Sequence, residues 1–286
     1  MLDLFAGAGG ISEGFRQAGF RVIGGSEIDP DAAATFELNF PEAEIVCGDI
    51  RSPDVAEQID GLASRADIIV GGPPCQAFSQ VRNHVRMIDD PRNSLYREFI
   101  RAVQRSLPRA FVMENVTGID QMGVRDQIRA DLSLDGEYRV TAQIVDAADF
   151  GVPQTRKRLL FFGVHRSLGI HPPVLSGTGA TDSITLVRFA GPRRSRYQIV
   201  VQESMLSQQV LERLLDPNDL CVVSAAHALS DLIDIPVGNR DDELLYEALA
   251  PATTAYQRAM RERSGDVLAN VQVPRINADT RLRLKG

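Results

Sequence analysis

Cysteine is scarce in this 286-residue sequence, and long apolar runs are missing. The three cysteines, Cys47, Cys75 and Cys221, lie far apart and form no CxxC pair, which argues against a disulfide framework and against a bound metal. No apolar run approaches the ~18 residues that a membrane-spanning helix needs, and no signal peptide is recognisable. With 44% hydrophobic and 24% charged residues, the composition predicts a soluble globular protein of the cytoplasm without a membrane partner.

Positive charge is also in deficit, because the formal net charge is −7. A chain that held a nucleic acid by broad neutralisation of phosphates would usually be basic. Acidity does not exclude such binding, since basic residues can be concentrated locally. Any surface that grips nucleic acid is therefore expected to be small or to lie outside this chain.

Short apolar segments alternate with helical patterns in the first half, which is typical of an α/β fold with a mainly parallel sheet. Residues 169–200 are rich in Gly, Pro, Ser and Arg and predict loops. Residues 201–235 have helical spacing, the periodicity fades from about 236, and 260–286 is expected to be a polar tail. The predicted strands are Met1–Phe5, Arg21–Glu27, Ile45–Cys47, Asp67–Val70, Ala110–Glu114, Tyr138–Val145 and Arg158–Val164, and the predicted helices are Ile11–Ala18, Pro30–Asn39 and Asn93–Leu107.

A glycine-rich turn, from Phe5 to Gly10, follows the first predicted strand and opens a helix. Glycines there let the backbone approach a ligand closely, and a helix N-terminus favours negative charge. Glu27 ends the second strand, where nucleotide-binding α/β folds place a carboxylate for ribose hydroxyls. Asp49 ends the third strand and could accept a hydrogen bond from an adenine amino group. A tight turn without a ligand and a nucleotide-dependent dehydrogenase stay open, although the turn is not a clean GxGxxG.

The fourth predicted strand runs into a loop that contains two glycines, two prolines and Cys75. Such a loop is stiff, so it fixes the direction of the sulfur at the carboxyl edge of the sheet. Cys47, inside a predicted strand, and Cys221, beside two valines, instead fit the role of small buried apolar residues. Cys75 is therefore the candidate nucleophile.

The motifs together resemble those of the cytosine-C5 DNA methyltransferase family. Pro-Cys-Gln at 74–76, Glu-Asn-Val at 114–116 and Gln-x-Arg-x-Arg at 154–158 follow the glycine turn in the family's order. The resemblance implies the class I S-adenosylmethionine-dependent fold: a Rossmann-like, mostly parallel doubly wound sheet with one antiparallel strand. It covers 1–168 densely, as a catalytic and cofactor-binding domain, and 169–286 weakly, as an incomplete, partly irregular linker and target-recognition region.

The resemblance also implies a reaction. Cys75 would attack carbon 6 of a cytosine flipped out of double-stranded DNA. Glu114 would grip N3 and the exocyclic amino group, Arg158 would hold O2, and Arg156 would brace the loop or a phosphate. S-adenosyl-L-methionine would be held by Phe5, Ala6, Gly7, Gly9, Gly10, Glu27, Ile28, Asp49, Ile50, Pro73 and Leu95. Further substrate contacts are expected at Gln76, Ser79, Asn115 and Gln154.

The segment 80–92 carries Arg82, His84 and Arg86 and is either a loop that closes over DNA or an exposed basic loop. Ser224–Leu232 resembles a segment that precedes the target-recognition region in many relatives, but no such region is recognisable before Gly286. A truncated chain, a disrupted gene and one subunit of a split enzyme with a second polypeptide all stay open. So do a non-catalytic protein and an RNA cytosine methyltransferase, while a role in restriction–modification is what the family suggests.

Overall fold

The computed structural model describes residues 1–74, 94–121, 124–179, 184–190, 195–201, 212–232, 235 and 239–269. The chain divides into two compact units. The first comprises residues 1–145 and 157–175, and the second comprises 146–156 and the residues from 176 onward. Among the described residues, no helix is both long and apolar enough to cross a membrane.

One seven-stranded sheet organises the first unit. Its strands are β1 (Leu2–Leu4), β2 (Gly24–Glu27), β3 (Glu44–Cys47), β4 (Ile68–Gly71), β5 (Ala110–Val116), β6 (Tyr138–Asp146) and β7 (Lys157–His165). The order across the sheet is β3-β2-β1-β4-β5-β7-β6. Neighbours from β3 to β5 are parallel, whereas β7 runs antiparallel to β5. The predicted mostly parallel sheet with an antiparallel strand is confirmed.

Helices connect the strands of this unit. They are α1 (Gly10–Gln17), α2 (Pro30–Asn39), α3 (Pro53–Ala63), α4 (Ser94–Ser106), α5 (Gly118–Gln121) and α6 (Arg125–Leu132). Asp29 caps α2 by accepting from two backbone N–H groups, and Pro30 occupies the first turn, as the sequence indicates. The prediction missed α3, although Ile59 and Leu62 lie at helical spacing and are buried.

Two apolar clusters cover the sheet. Leu2, Leu4 and Ile69 belong to the larger cluster, which also holds apolar residues of α3 and α4. Val70, which follows Ile69 in β4, belongs to the other cluster with Phe36 of α2. Because successive side chains of a strand point to opposite faces, both faces of the sheet are apolar. The result is the doubly wound arrangement that the alternating pattern predicts.

Asp3 is a fully buried carboxyl in the middle of β1. Its Oδ2 accepts hydrogen bonds from the backbone N–H (3.2 Å) and the hydroxyl (2.7 Å) of Ser12 in α1. Its Oδ1 is buried without a hydrogen-bond partner in the described part of the chain. Burial raises the pKa of Asp3 to about 7, and the two bonds from Ser12 oppose that rise only in part. The carboxyl ties β1 to α1 across the glycine-rich turn.

Asp3→Asn is expected to remove a pH dependence of stability. The pKa of about 7 in the folded chain exceeds the ~3.9 of an unfolded chain. The stabilising contribution of Asp3 is therefore fully present below the unfolded pKa and is lost as the pH rises through the folded pKa. Urea unfolding at a series of pH values should show wild-type stability falling, on the order of a few kcal/mol, relative to Asp3→Asn. The exposed Asp135→Asn is the control, and parallel pH profiles for wild type and Asp3→Asn would contradict the assignment.

The second unit has its own short elements. They are β8 (Ile184–Ala190), β9 (Ser195–Val201), α7 (Ala225–Leu229), β10 (Glu243–Leu245), α8 (Ala255–Ser264) and β11 (Val267–Ala269). β8 pairs antiparallel with β9, and β10 pairs antiparallel with β11. The prediction of loops over 169–200 is wrong for the β8–β9 pair, because β-branched and aromatic residues favour strands there despite the surrounding Gly, Pro and Arg. The prediction of a tail is wrong for residues 260–269, because the end of α8 and strand β11 lie there.

The contact between α7 and α8 is polar as well as apolar. Thr254 caps α8, and its hydroxyl donates to the carbonyl of His227 at 2.8 Å. Arg261 of α8 pairs with the buried Asp231 at 2.8 Å, and its guanidinium lies 4.8 Å from the ring centroid of Tyr246. The segment after Ser224 is therefore fixed to a helix of its own unit.

Candidate functional site

A cleft of about 150 Å³ lies at the carboxyl ends of β1 to β4. β1 has β2 on one side and β4 on the other, so the strand order reverses here. Open parallel sheets bind ligands outside the carboxyl ends of strands at such a point. The lining residues come from the ends of all four strands and from α4: Phe5, Ser26, Glu27, Ile28, Gly48, Asp49, Ile50, Arg51, Gly72, Pro74 and Leu95.

The glycine-rich turn approaches its surroundings closely on one side and is open on the other. A Cβ on Gly9 would lie 2.3 Å from the ring of Phe40, so no larger residue fits there. A Cβ on Gly7 or Gly10 would meet nothing within 4 Å. Phe5 adopts a φ of 61°, which is rare for a residue with a side chain and costs energy. The turn thus presents free backbone where a ligand can approach.

Glu27 holds the turn in place. Its Oε2 accepts from the N–H of Gly7 at 2.8 Å, and its Oε1 accepts from the N–H groups of Ile28 at 2.8 Å and Asp29 at 3.0 Å. A carboxylate offers about four lone-pair positions, so Glu27 keeps capacity for a ligand hydroxyl. This carboxylate links the end of β2 to the turn after β1.

Asp49 is held by Arg51, two residues further along the chain. The guanidinium Nη2 lies 2.6 Å from Oδ2, and Nε donates to both carboxylate oxygens at 2.9 and 3.1 Å. These bonds, together with one from the backbone N–H of Arg51, lower the pKa of Asp49 to about 2. Asp49 is consequently an ionised hydrogen-bond acceptor at the edge of the cleft.

Glu114 and Asn115 approach Gly72 and Pro73, at the start of the predicted loop that contains Cys75, hereafter the cysteine loop. A Cβ on Gly72 would lie 3.0 Å from Oε2 of Glu114, so the missing side chain leaves room for this carboxylate. Asn115 is buried, and its Nδ2 donates to the carbonyl of Pro73 at 3.2 Å. The parallel pairing of β4 with β5 brings these groups together.

Arg158 completes an ion pair with Glu114. Glu114 of β5 faces Leu160 of β7, and Arg158 is two residues from Leu160, so the pair is diagonal on one face of the antiparallel ladder. Arg158 Nε lies 2.6 Å from Oε1, although the direction of its N–H does not meet hydrogen-bond geometry. The close approach is thus a charge contact on a half-buried carboxylate.

Several other predicted residues are not among those that line the cleft. Cys75, Gln76, Ser79 and the segment 80–92 fall outside the described residues. Gln154 and Arg156 belong to the second unit, where the N–H of Arg156 donates to Asp146 Oδ1 at 2.9 Å. Ala6, Gly9 and Pro73 are buried beside the cleft residues and do not line the cleft.

The sequence also matches a known protein family. The sequence profile described as "C-5 cytosine-specific DNA methylase" matches residues 1–220. This chain belongs to that family. The dehydrogenase hypothesis is thereby set aside.

Several curated relatives resemble this chain. The type II methyltransferase M.AgeI of Thalassovita gelatinovora is 32% identical over 99% of this chain and 62% of its own length. M.XorII of Xanthomonas oryzae pv. oryzae is 38% identical over 63% of this chain and 43% of its own length. M.AquIA of Picosynechococcus sp. is 37% identical over 57% of this chain and 71% of its own length. The chain therefore spans less than two thirds of M.AgeI and M.XorII.

A solved structure shares the fold. It is described as a DNA modification methyltransferase encoded within a prophage (E. coli), is 26% identical, and superposes with a TM-score of 0.50 over 84% of this chain and 76% of its own. The likeness agrees with the Rossmann-like sheet order of the first unit.

Part of the cleft was not predicted from the sequence. Ser26, Gly48, Arg51, Gly72 and Pro74 line it without having been predicted. Each is adjacent to a predicted residue, so extending every motif by one or two positions would have found them. The expectation that Cys47 and Cys221 are buried is wrong, because both are exposed; an edge strand and a loop do not cover them.

Glu27→Gln is expected to lower the free energy of unfolding of the chain by about 1 kcal/mol, because an amide keeps only one of the two oxygens that accept backbone N–H groups. Denaturant unfolding measures the change. Glu57→Gln, on the exposed face of α3, removes the same charge and should change little. Equal losses for both variants would show that Glu27 does not hold the turn.

Proposed function

We propose that this chain transfers a methyl group from S-adenosyl-L-methionine to carbon 5 of a flipped-out cytosine in double-stranded DNA, through a covalent adduct between Cys75 and carbon 6. The observation that carries the proposal is the position of Glu114. Its carboxylate reaches Gly72, three residues before Cys75, and pairs with Arg158. An acid and a cation thus flank the start of the loop that bears the nucleophile.

The cleft suits the cofactor. Glu27 has about one lone-pair position left for a ribose hydroxyl, and the ionised Asp49 can accept from the adenine amino group. The open backbone at Gly7 and Gly10, with Ala6 and Gly9 beneath it, suits the methionine part. Phe5, Ile28, Ile50 and Leu95 supply apolar contact, with Pro73 behind Pro74. When bound, S-adenosyl-L-methionine supplies an electrophilic methyl group.

The residues of the chain would make carbon 5 nucleophilic. The Cys75 thiolate forms a bond to carbon 6 while N3 takes a proton, or a share of one, from Glu114. This addition produces an enamine with electron density on carbon 5. Arg158 stabilises O2 and keeps the Glu114 carboxyl in place. After methylation, the carbon-5 proton is lost to solvent, the thiolate departs and N3 returns its proton to Glu114, which restores the aromatic ring.

The remaining predicted residues would hold DNA. Gln76, Ser79 and Gln154 are proposed contacts of the extruded nucleotide, and Arg156 is proposed to brace the loop or a phosphate. Flipping costs on the order of a few kcal/mol, which such contacts offset. Asn115 contacts Pro73 in the structure, so its proposed effect on substrate acts through the loop. Residues 1–168 form the proposed catalytic domain and 169–286 part of the DNA-reading region.

The cellular setting follows from the relatives. The three curated relatives named above are type II methyltransferases. We place this chain in the same restriction–modification class, acting on DNA in the cytoplasm. The proposal does not include a second polypeptide.

Trapping tests the nucleophile. Duplexes of random sequence that contain 5-fluorodeoxycytidine should form a covalent adduct with the wild-type chain in the presence of S-adenosyl-L-methionine, because fluorine cannot leave as the proton does. Denaturing gels should show the adduct for wild type and for the exposed-cysteine control Cys47→Ser, and none for Cys75→Ser. A wild-type chain that forms no adduct, or forms it only with cytosine in RNA, would contradict the proposal.

Gly72→Ala tests the position of Glu114. The new Cβ would press on Oε2, and a displacement of a few tenths of an ångström should slow methyl transfer to DNA by roughly tenfold or more. Gly61→Ala in α3, where a Cβ meets nothing within 4 Å, is the matched control. Thermal melting should be similar for both. Unchanged methyl transfer by Gly72→Ala would mean that Glu114 has no role near the cysteine loop.

A further inference from the structure

Arg51 engages every hydrogen-bonding position of Asp49. Oδ1 accepts from the backbone N–H at 3.0 Å and from Nε at 2.9 Å, while Oδ2 accepts from Nε at 3.1 Å and from Nη2 at 2.6 Å. A carboxylate offers about four such positions. The carboxylate is therefore held by the guanidinium and the backbone N–H of a single residue.

The backbone around this pair is fixed. The N–H and the hydroxyl of Ser52 both bond to the carbonyl of Asp49 at 2.9 Å, and α3 begins at Pro53. Asp49 and Arg51 thus sit in a tight turn rather than on a flexible tail. Both side chains line the same cleft as Glu27 and Phe5.

Stability does not account for the arrangement. The two side chains are 36% and 53% exposed, and pairs of this exposure contribute little to folding. Their effect is on orientation instead, because a free Asp side chain at this exposure would rotate among rotamers. The hydrogen bonds from Arg51 hold the Asp49 carboxylate in one orientation at the edge of the cleft.

We infer that Arg51 is a positioning residue that orients the Asp49 carboxylate for the 6-amino group of the adenine ring, and thereby sets the preference of the cleft for adenosyl ligands. This inference rests on the proposed function. Adenine binding then needs only one carboxylate position to change partner, from Arg51 to the amino group, while the other bonds keep the orientation. Without Arg51, the conformational entropy lost on ordering the Asp49 side chain would reduce the affinity for the ligand.

The role predicts coupling between Arg51 and one ligand group. Calorimetry would compare S-adenosylhomocysteine with its purine analogue, in which hydrogen replaces the 6-amino group. Arg51→Met should weaken binding of S-adenosylhomocysteine roughly three- to tenfold, an ordering cost of about 1 kcal/mol. Binding of the purine analogue should stay nearly unchanged. Arg51→Lys, which keeps the charge but cannot chelate, should recover only part of the loss.

Two further measurements distinguish a loss of Asp49 orientation in Arg51→Met from a general loss of folded structure. Carboxyl NMR should show the Asp49 pKa at about 2 in wild type and nearer its ordinary value in Arg51→Met. Arg65→Met removes an exposed arginine paired with Glu44, away from this cleft, and should leave binding of both ligands unchanged.

The outcomes distinguish a failure of the role of Arg51 from a failure of the proposed function. Equal weakening for both ligands, or no weakening by Arg51→Met, would overturn the role of Arg51 and leave the proposed function intact. Failure of the wild-type chain to bind S-adenosylhomocysteine at all would contradict the proposed function itself, and this inference with it.

Discussion

The parallel pairing of β1 with β2 on one side and β4 on the other is the constraint on which the candidate site depends. Leu2 aligns with Gly24 and with Ile69, so the three strands end at one level. A Cβ on Gly71 would lie 2.4 Å from the carbonyl oxygen of Leu4, so this alignment requires a glycine. The close spacing brings the glycine-rich turn, Glu27 and the start of the cysteine loop around a single cleft.

Four carboxyl groups of the first unit differ in function because their surroundings differ. Asp3 has lost its water and is held by one hydroxyl and one N–H group. Glu27 is bound by backbone N–H groups, Asp49 by a neighbouring guanidinium, and Glu114 by an arginine from another strand. The first two fix the shape of the turn. The last two are each paired with an arginine, Asp49 at the proposed adenine position and Glu114 beside the cysteine loop.

The sequence predicted the sheet and most strands because short apolar segments and glycine turns are local signals. The motif residues Phe5, Glu27 and Asp49 line one cleft because parallel strands bring successive turns to the same edge. Local sequence patterns do not reveal side-chain contacts that depend on the direction in which the backbone turns. Arg51 looks like an ordinary surface charge until the turn before α3 directs it onto Asp49. Strand β8 was not predicted, because the Gly, Pro and Arg residues around it are typical of a loop.

The position of β7 has a consequence for how the protein is made. β7 inserts between β5 and β6, although it follows both in the sequence. Every residue that lines the cleft has been synthesised by Leu95, whereas the partner of Glu114 comes from position 158. During synthesis the residues that line the cleft are therefore available before the ion pair can exist. The pair between Glu114 and Arg158 is therefore the later part of the candidate site to be completed, and a nascent chain cannot form it until β7 has emerged.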